Sequence, residues 1–424
     1  MEELNSEMSS ADSPGDDRKE RSGIGLCLSG GGFRAALFHL GALRRLHELG
    51  VLQRVRWISS VSGGSILAGH LAQCEINCAR GGQLNFSDWQ KDVAEPFRCF
   101  AARDLRTWPT LIHAAWNWLL PNPLLGSLEA RYADRLTRLR LDELPETPEY
   151  LFCATDMTFG VNWVFSRARV GSYKAGYMYP SDESSAAKSM TVAKAITASA
   201  CFPPLFGPMK IMNPRKSLVG NSNDGEAKQK LPGTIALTDG GVYDNMAIEP
   251  VWKKAATVLI SDCGAPFACV EGRPPWRTLL RYSDVLSRQS QSLRVRALRA
   301  VWSREPAERA YDGTRWHLAS GRSRKSPDWS EGYSETFAQT YIGTIRTDLD
   351  NFSDAEMSIL ENHGYFNADY RIRHEMGSLL LGIPSAPVAP YPDWMDEEKA
   401  REALKDSRKR FVAGRLMAAL FHCV

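Results

Sequence analysis

Apolar positions along this chain follow two periods, and the changes between them mark its elements. Ile24-Gly25-Leu26-Cys27-Leu28-Ser29 is a nearly unbroken apolar run, which predicts a strand buried on both faces. After Gly30-Gly31-Gly32 the period lengthens. Phe33, Ala36, Leu37, Leu40, Leu43 and Leu46 recur at helical spacing, and Gly50 suits a helix stop. Val55, Trp57, Ile58 and Val61 return to strand spacing, followed by a helical run through Ile66, Leu67 and Leu71. This βαβα opening predicts an α/β fold with a parallel sheet and crossover helices.

Further on the pattern changes several times. From Cys78 to Tyr150 no strand pattern occurs, and Trp89, Phe100, Trp108, Trp116 and Trp118 stand among Pro and Leu, predicting a helical insertion packed as a cap or against lipid. Tyr150 to Phe165 reads as a hairpin turning near Gly160, and Thr191 to Ala200 as a short helix closed by a Pro-rich segment. Asn213 to Gly233 is polar and reads as a surface loop. Thr234 to Thr238 and Thr257 to Asp262 are strands, the first running into Asp239-Gly240-Gly241. A basic helix is expected from about Trp276 to Trp302. Ser353-Asp354-Ala355-Glu356 spells a capping box that opens a helix running toward Gly364. The end of the chain, Asp396 to Val424, reads as a basic amphipathic helix. The expected organisation is a disordered lead-in over 1–22, a sheet-bearing unit over 23–265 with its insertion at about 78–150, and a mostly helical region over 266–424 packed on that unit.

Composition narrows the options. With 43% hydrophobic residues, 424 residues can bury a large core. Lys and Arg number 52 against 49 Asp and Glu, so nothing in the global charge calls for a nucleic-acid partner. The acidic, Ser-rich start lacks a signal-peptide pattern. No apolar run approaches the roughly 20 residues that span a bilayer. Nine scattered cysteines without C-x-x-C spacing fit free thiols in a reducing cytoplasm, and no metal site is expected.

The chemistry gathers around three short stretches. Ser60-Val61-Ser62-Gly63-Gly64, between a strand and a helix, outlines a nucleophile elbow with Ser62 at its tip; the same residues also fit an ordinary βα turn. An activated serine needs donors for an oxyanion and a base for its proton. The Gly30-Gly31-Gly32 loop at a helix start can supply donors. It also fits a dinucleotide fingerprint through Gly30, Gly32 and Ala35, but the second strand ends in serines rather than the acidic residue that a ribose needs, with Glu48 as the nearest substitute. For the base, two arrangements compete: Ser62, Asp239 and His317 or His363 in the order Ser, Asp, His, or direct proton transfer to Asp239.

Together these residues carry a family resemblance. The stretches Gly30 to Ala35, Ser60 to Gly64, Ala198 to Phe206 and Asp239-Gly240-Gly241 occur in the order seen in patatin-like phospholipases, which the chain resembles from Ile24 to about Asp262. Ser60 and Ala35 stand where the family pattern has glycine. The resemblance implies a three-layer fold with a central, mostly parallel sheet flanked by helices. It implies a Ser-Asp dyad with Ser62 as nucleophile and Asp239 as base, and an oxyanion hole from the Gly30-Gly31-Gly32 loop, ordered by Arg34. Ser60, Gly64, Gly240 and Gly241 would support the elbow and the Asp-Gly-Gly turn. No catalytic histidine, metal or organic cofactor is implied.

The expected function is hydrolysis of phospholipid or lysophospholipid esters through an acyl-serine, by a cytoplasmic protein that touches the inner membrane face. The Trp-rich insertion and the basic tail are the expected membrane contacts. Two other functions are compatible with the sequence: a membrane-degrading effector switched on by a partner or small signal, and a lipid-binding protein on a disabled hydrolase fold.

Overall fold

The computed structural model describes residues 21–78, 83–103, 123–203, 206–212, 218–219, 233–264, 275–324, 326–405 and 407. The lead-in before Arg21, the Trp108 to Trp118 stretch, most of the 213–233 loop and the tail from 408 onward lie outside them.

The opening has the expected alternation: β1 (Ile24–Leu28), α1 (Gly32–Glu48), β2 (Val55–Ser60) and α2 (Gly63–Cys78). The described part of the insertion is helical, with a π turn at Gln90–Ala94, α3 (Glu95–Ala101) and α4 (Pro123–Arg135). There follow β3 (Glu149–Asp156), β4 (Val161–Phe165), β5 (Val170–Ser172), β6 (Gly176–Met178), α5 (Val192–Ala200), β7 (Met209–Met212) and β8 (Thr234–Asp239). The chain continues through α6 (Gly241–Asp244), β9 (Thr257–Asp262), α7 (Pro275–Trp302), β10 (Asp312–His317), α8 (Glu335–Thr340), α9 (Asp354–Glu375) and α10 (Glu397–Leu404).

Strands β10, β9, β1, β2 and β3 lie side by side in parallel, and β4, β5 and β6 extend this sheet antiparallel. The parallel strands are covered on both faces. In β1, Ile24, Leu26 and Leu28 enter the larger core under α1, α2, α5 and α9, while Cys27 faces the smaller one with Val258, Ile260 and Leu298. That alternation makes the fold a three-layer α/β/α sandwich. The short strands β5 to β7, and β10 after the basic helix, carry no legible pattern of their own. β10 brings the region beyond 266 into the sheet itself.

The helix opened by Ser353 does not end near Gly364; it continues to Glu375. Gly364 instead marks a helix crossing. A Cβ there would sit 1.8 Å from the Phe38 carbonyl oxygen, and one at Gly41 would sit 1.9 Å from that of Glu361. Two glycines let the backbones of α1 and α9 touch. A buried ion pair, Arg45 with Asp369 at 2.7 Å, fixes the crossing, and Arg98 of α3 pairs with Glu361 of α9 beside it. No described helix is long and apolar enough to cross a membrane.

Candidate active site

The site follows from the way three strands share an edge. Along β3, Phe152 pairs with Ser60 of β2 and Ala154 pairs with Asp239 of β8, while β4 occupies the opposite edge at both positions. β2 runs parallel to β3 and β8 antiparallel, so their carboxyl ends point at each other along one edge. Two residues of strand separate them, about 7 Å. Whatever follows β2 therefore meets whatever ends β8, namely Ser62 and Asp239.

Ser62 has φ +51°, a left-handed conformation rare outside glycine, and is half-buried. The turn is held on both sides. Val61 N–H donates to the Leu28 carbonyl at 3.1 Å, and Ser62 N–H donates to the Ser199 hydroxyl at 2.9 Å. Ser199 donates onward to the Cys153 carbonyl at 2.6 Å, and the Ser65 hydroxyl lies 2.8 Å from Ser199 and 3.0 Å from Ser60. Ser60, where the family pattern has glycine, is thus a buried member of a hydroxyl network beneath the turn. Glycines are required one step on. A Cβ at Gly63 would stand 2.1 Å from the Gly32 carbonyl oxygen, and one at Gly64 would stand 2.3 Å from that of Leu28.

Asp239 is 2% exposed. Its Oδ1 accepts from Gly241 N–H at 2.7 Å, whereas Oδ2 is buried without a full hydrogen bond. Burial pushes its pKa up from 3.8 to about 7, with the Gly241 N–H and then the Ser62 hydroxyl pulling the other way. The Ser62 contact is therefore close enough to be felt but is not a well-formed bond at rest, as apo hydrolase sites often show. Gly240 and Gly241 give the carboxylate its room: a Cβ at Gly240 would stand 2.3 Å from the Cys153 carbonyl oxygen, and one at Gly241 would stand 3.0 Å from Asp239 Oδ1.

The glycine loop lies against this turn. Gly31 (φ +141°) is the N-cap of the 17-residue α1 and Gly32 (φ +59°) its first residue, so their N–H groups have no intrahelical acceptor. Neither donates to a described group outside the helix, and no acidic side chain occupies the first turn. Arg34 holds the loop from behind. Its buried guanidinium donates to the carbonyls of Ile345 (2.9 Å), Gly343 (3.4 Å) and Cys263 (3.1 Å), so it anchors the loop without facing Ser62. Gly30 also leaves no room for a side chain, since a Cβ would stand 2.5 Å from Asn245 Oδ1 and 3.2 Å from Ser62 Cβ. This arrangement offers a hydroxyl, a carboxylate poised near neutrality and two free amides at a helix start.

Neither candidate histidine joins it. His317 Nδ1 accepts from Ala319 N–H at 3.1 Å beside Asp262 and Arg315, and His363 Nε2 lies 2.7 Å from the Leu318 carbonyl. Burial lowers both to about 4, leaving them neutral at pH 7. The order Ser, Asp, His does not assemble. Glu48, the substitute ribose ligand, is engaged with Arg45 (2.8 Å) and Tyr365 (2.5 Å), so the dinucleotide arrangement does not form either. No cluster of three or more His, Cys, Asp or Glu able to hold a metal occurs among the described residues.

Two neighbours of the site went unread in the sequence as contributors. Ser199 lies inside the Ala198 to Phe206 stretch, so its place was legible although its bond to the Ser62 amide was not. Tyr132, buried on α4, had no local signal.

Comparison with known proteins bears on the family and the fold. Residues 26–252 match the family model described as patatin-like phospholipase. No curated protein matches. Among solved structures, human GIVD cytosolic phospholipase A2 is 14% identical with a TM-score of 0.50, the match covering 94% of this chain and 62% of that one. The same human protein in complex with methyl gamma-linolenyl fluorophosphonate is 15% identical with a TM-score of 0.47, covering 95% and 62%. VipD from Legionella pneumophila is 13% identical with a TM-score of 0.29, covering 81% and 67%. The chain thus spans less than two-thirds of the human structures, and at these identities the first likeness speaks to the fold alone.

Proposed function

Because the chain belongs to the patatin-like phospholipase family, we propose that it is a serine lipid acyl hydrolase that cleaves carboxylic esters of phospholipids or lysophospholipids. The observation that carries this reading is the meeting of Ser62 and Asp239 on one edge of β3, beside the free amides of Gly31 and Gly32.

In this mechanism Asp239 takes the Ser62 proton as the serine oxygen attacks the ester carbonyl. Its raised pKa suits that role, because a base poised near the working pH transfers protons most effectively. The Gly31 and Gly32 amides and the α1 dipole hold the developing negative charge; such donors are each worth about a hundredfold to a thousandfold in turnover. The leaving group departs with the proton from Asp239, and water, activated by the same carboxylate, releases the fatty acid. We further propose that the protein works in the cytoplasm with transient contact at a membrane surface. All seven described cysteines are free, which fits a reducing compartment.

The test is incubation with a phospholipid carrying two different acyl chains, with released fatty acids identified by mass, alongside fluorophosphonate labelling of the wild type and Ser62→Ala. Labelling and release that both depend on Ser62 are expected. Release that survives the substitution would refute the proposal.

A further inference from the structure

Resting on the hydrolase reading, we infer that Tyr132 is a positioning residue whose hydroxyl holds the deacylating water against Asp239. Tyr132 is completely buried on α4, the helix that packs on α5, and α5 in turn carries Ser199 beneath the elbow. Among the described residues its hydroxyl has no hydrogen-bond partner, and Asp239 Oδ2 has none beyond the loose contact of Asp239 with the Ser62 hydroxyl. A phenylalanine would fill the same volume without the cost of a buried, unpaired hydroxyl, so the oxygen calls for a partner that no described residue supplies.

The helix on which α4 packs ends against Asp239: Asp239 N–H donates to the Cys201 carbonyl and Gly240 N–H to the Ser199 carbonyl, both at 3.3 Å. Burial and then the Asp239 carboxylate raise the phenol's pKa, so it stays protonated at every working pH. An aromatic wall connects it to the glycine loop: Phe33, next after Gly32, has its ring 5.6 Å from Phe100, which lies 6.4 Å from Tyr132.

A water between the two oxygens would give one proton to Asp239 Oδ2 and point the other at the Tyr132 oxygen, leaving a lone pair free to attack. Its oxygen forms the new bond to the acyl carbon, the bond from that carbon to Ser62 Oγ breaks, and the proton held by Asp239 returns to Ser62. The products are a carboxylic acid and the free serine. During acylation Ser62 itself is the nucleophile, so Tyr132 has no part in that half-reaction.

The test is Tyr132→Phe, read by stopped-flow hydrolysis of a p-nitrophenyl ester and by the decay of acyl-Ser62 followed by mass spectrometry. The expected result is a melting temperature at or above that of the wild type, kcat/KM within about twofold, and acyl-enzyme decay slowed by roughly tenfold, the scale of one hydrogen bond in a charged network. kcat and KM then fall together and an initial burst of nitrophenol appears. Wild-type turnover with unchanged acyl-enzyme decay in the variant, or a loss of kcat/KM without a burst, would overturn the role of Tyr132 alone. Failure of the wild type to form any acyl-Ser62 would overturn the hydrolase reading and this inference with it.

Discussion

The Ser62 amide donates to the Ser199 hydroxyl at 2.9 Å, so the residue at the tip of the strained turn is held by a side chain 137 positions further along the chain. Ser199→Ala leaves that amide without its acceptor and unties the turn from the Cys153 carbonyl. The expected loss is about 1–3 kcal/mol of stability, the cost of an unsatisfied buried group, together with a drop in kcat that exceeds any change in KM. Thermal melting and steady-state kinetics on one preparation check both.

Ser62→Ala and Asp239→Asn are each expected to cost on the order of a thousandfold or more in turnover, and the double variant little beyond either alone, because residues that act as a unit are not additive. His317→Gln and His363→Gln should stay active wherever they stay folded, since both imidazoles bond elsewhere. A folded but inactive His363→Gln protein would contradict a two-residue mechanism.

Acidity should move activity and stability in opposite directions. Asp239 is raised from 3.8 to about 7 by burial, so between these values the folded protein keeps a proton that the unfolded chain has released. Raising the pH through this window lowers the group's contribution to stability, and below it the contribution is constant. Catalysis needs the carboxylate, so kcat/KM should climb through about pH 7. Asp239→Asn should flatten both profiles and melt no lower than the wild type at pH 8, an outcome that calorimetry across pH can check.

Gly32 has φ +59°, and a Cβ on it would stand 2.8 Å from the Asp348 carbonyl oxygen. Gly32→Ala is therefore expected to displace the loop and cost about a hundredfold to a thousandfold in kcat, the scale of one oxyanion donor. Labelling by a fluorophosphonate should slow in parallel, which would separate this variant from one that binds substrate poorly.

What could be read in the sequence was what neighbouring residues decide. The apolar run at Ile24, the glycines at 30 to 32 and the capping box at Ser353 are local, and they gave β1, the start of α1 and the start of α9. Gly364 misled because a glycine in a helical pattern marks either a stop or a close crossing, and only the presence of Gly41 opposite decides which. β10 pairs with β9 across the whole of α7, and such long-range pairing leaves no periodic trace in six residues. At the candidate site, the motif stretches pointed to Ser62 and Asp239 as the residues to examine. The edge of β3 that brings them together, and Tyr132 beside them, depend on tertiary placement.

The glycine loop takes its shape from residues synthesised three hundred positions later: Phe33 N–H donates to the Asp348 carbonyl at 3.0 Å, and Arg34 reaches Gly343 and Ile345. A nascent chain on the ribosome thus carries Ser62 and Asp239 long before it can fix the loop beside them. Chains arrested before Gly343 are expected to resist fluorophosphonate, and those extending past Glu375, so that α9 can also pack on α1, to react. For a proposed lipid hydrolase, this order of synthesis would keep Ser62 without its oxyanion donors until the segment from Gly343 to Asp348 has been made.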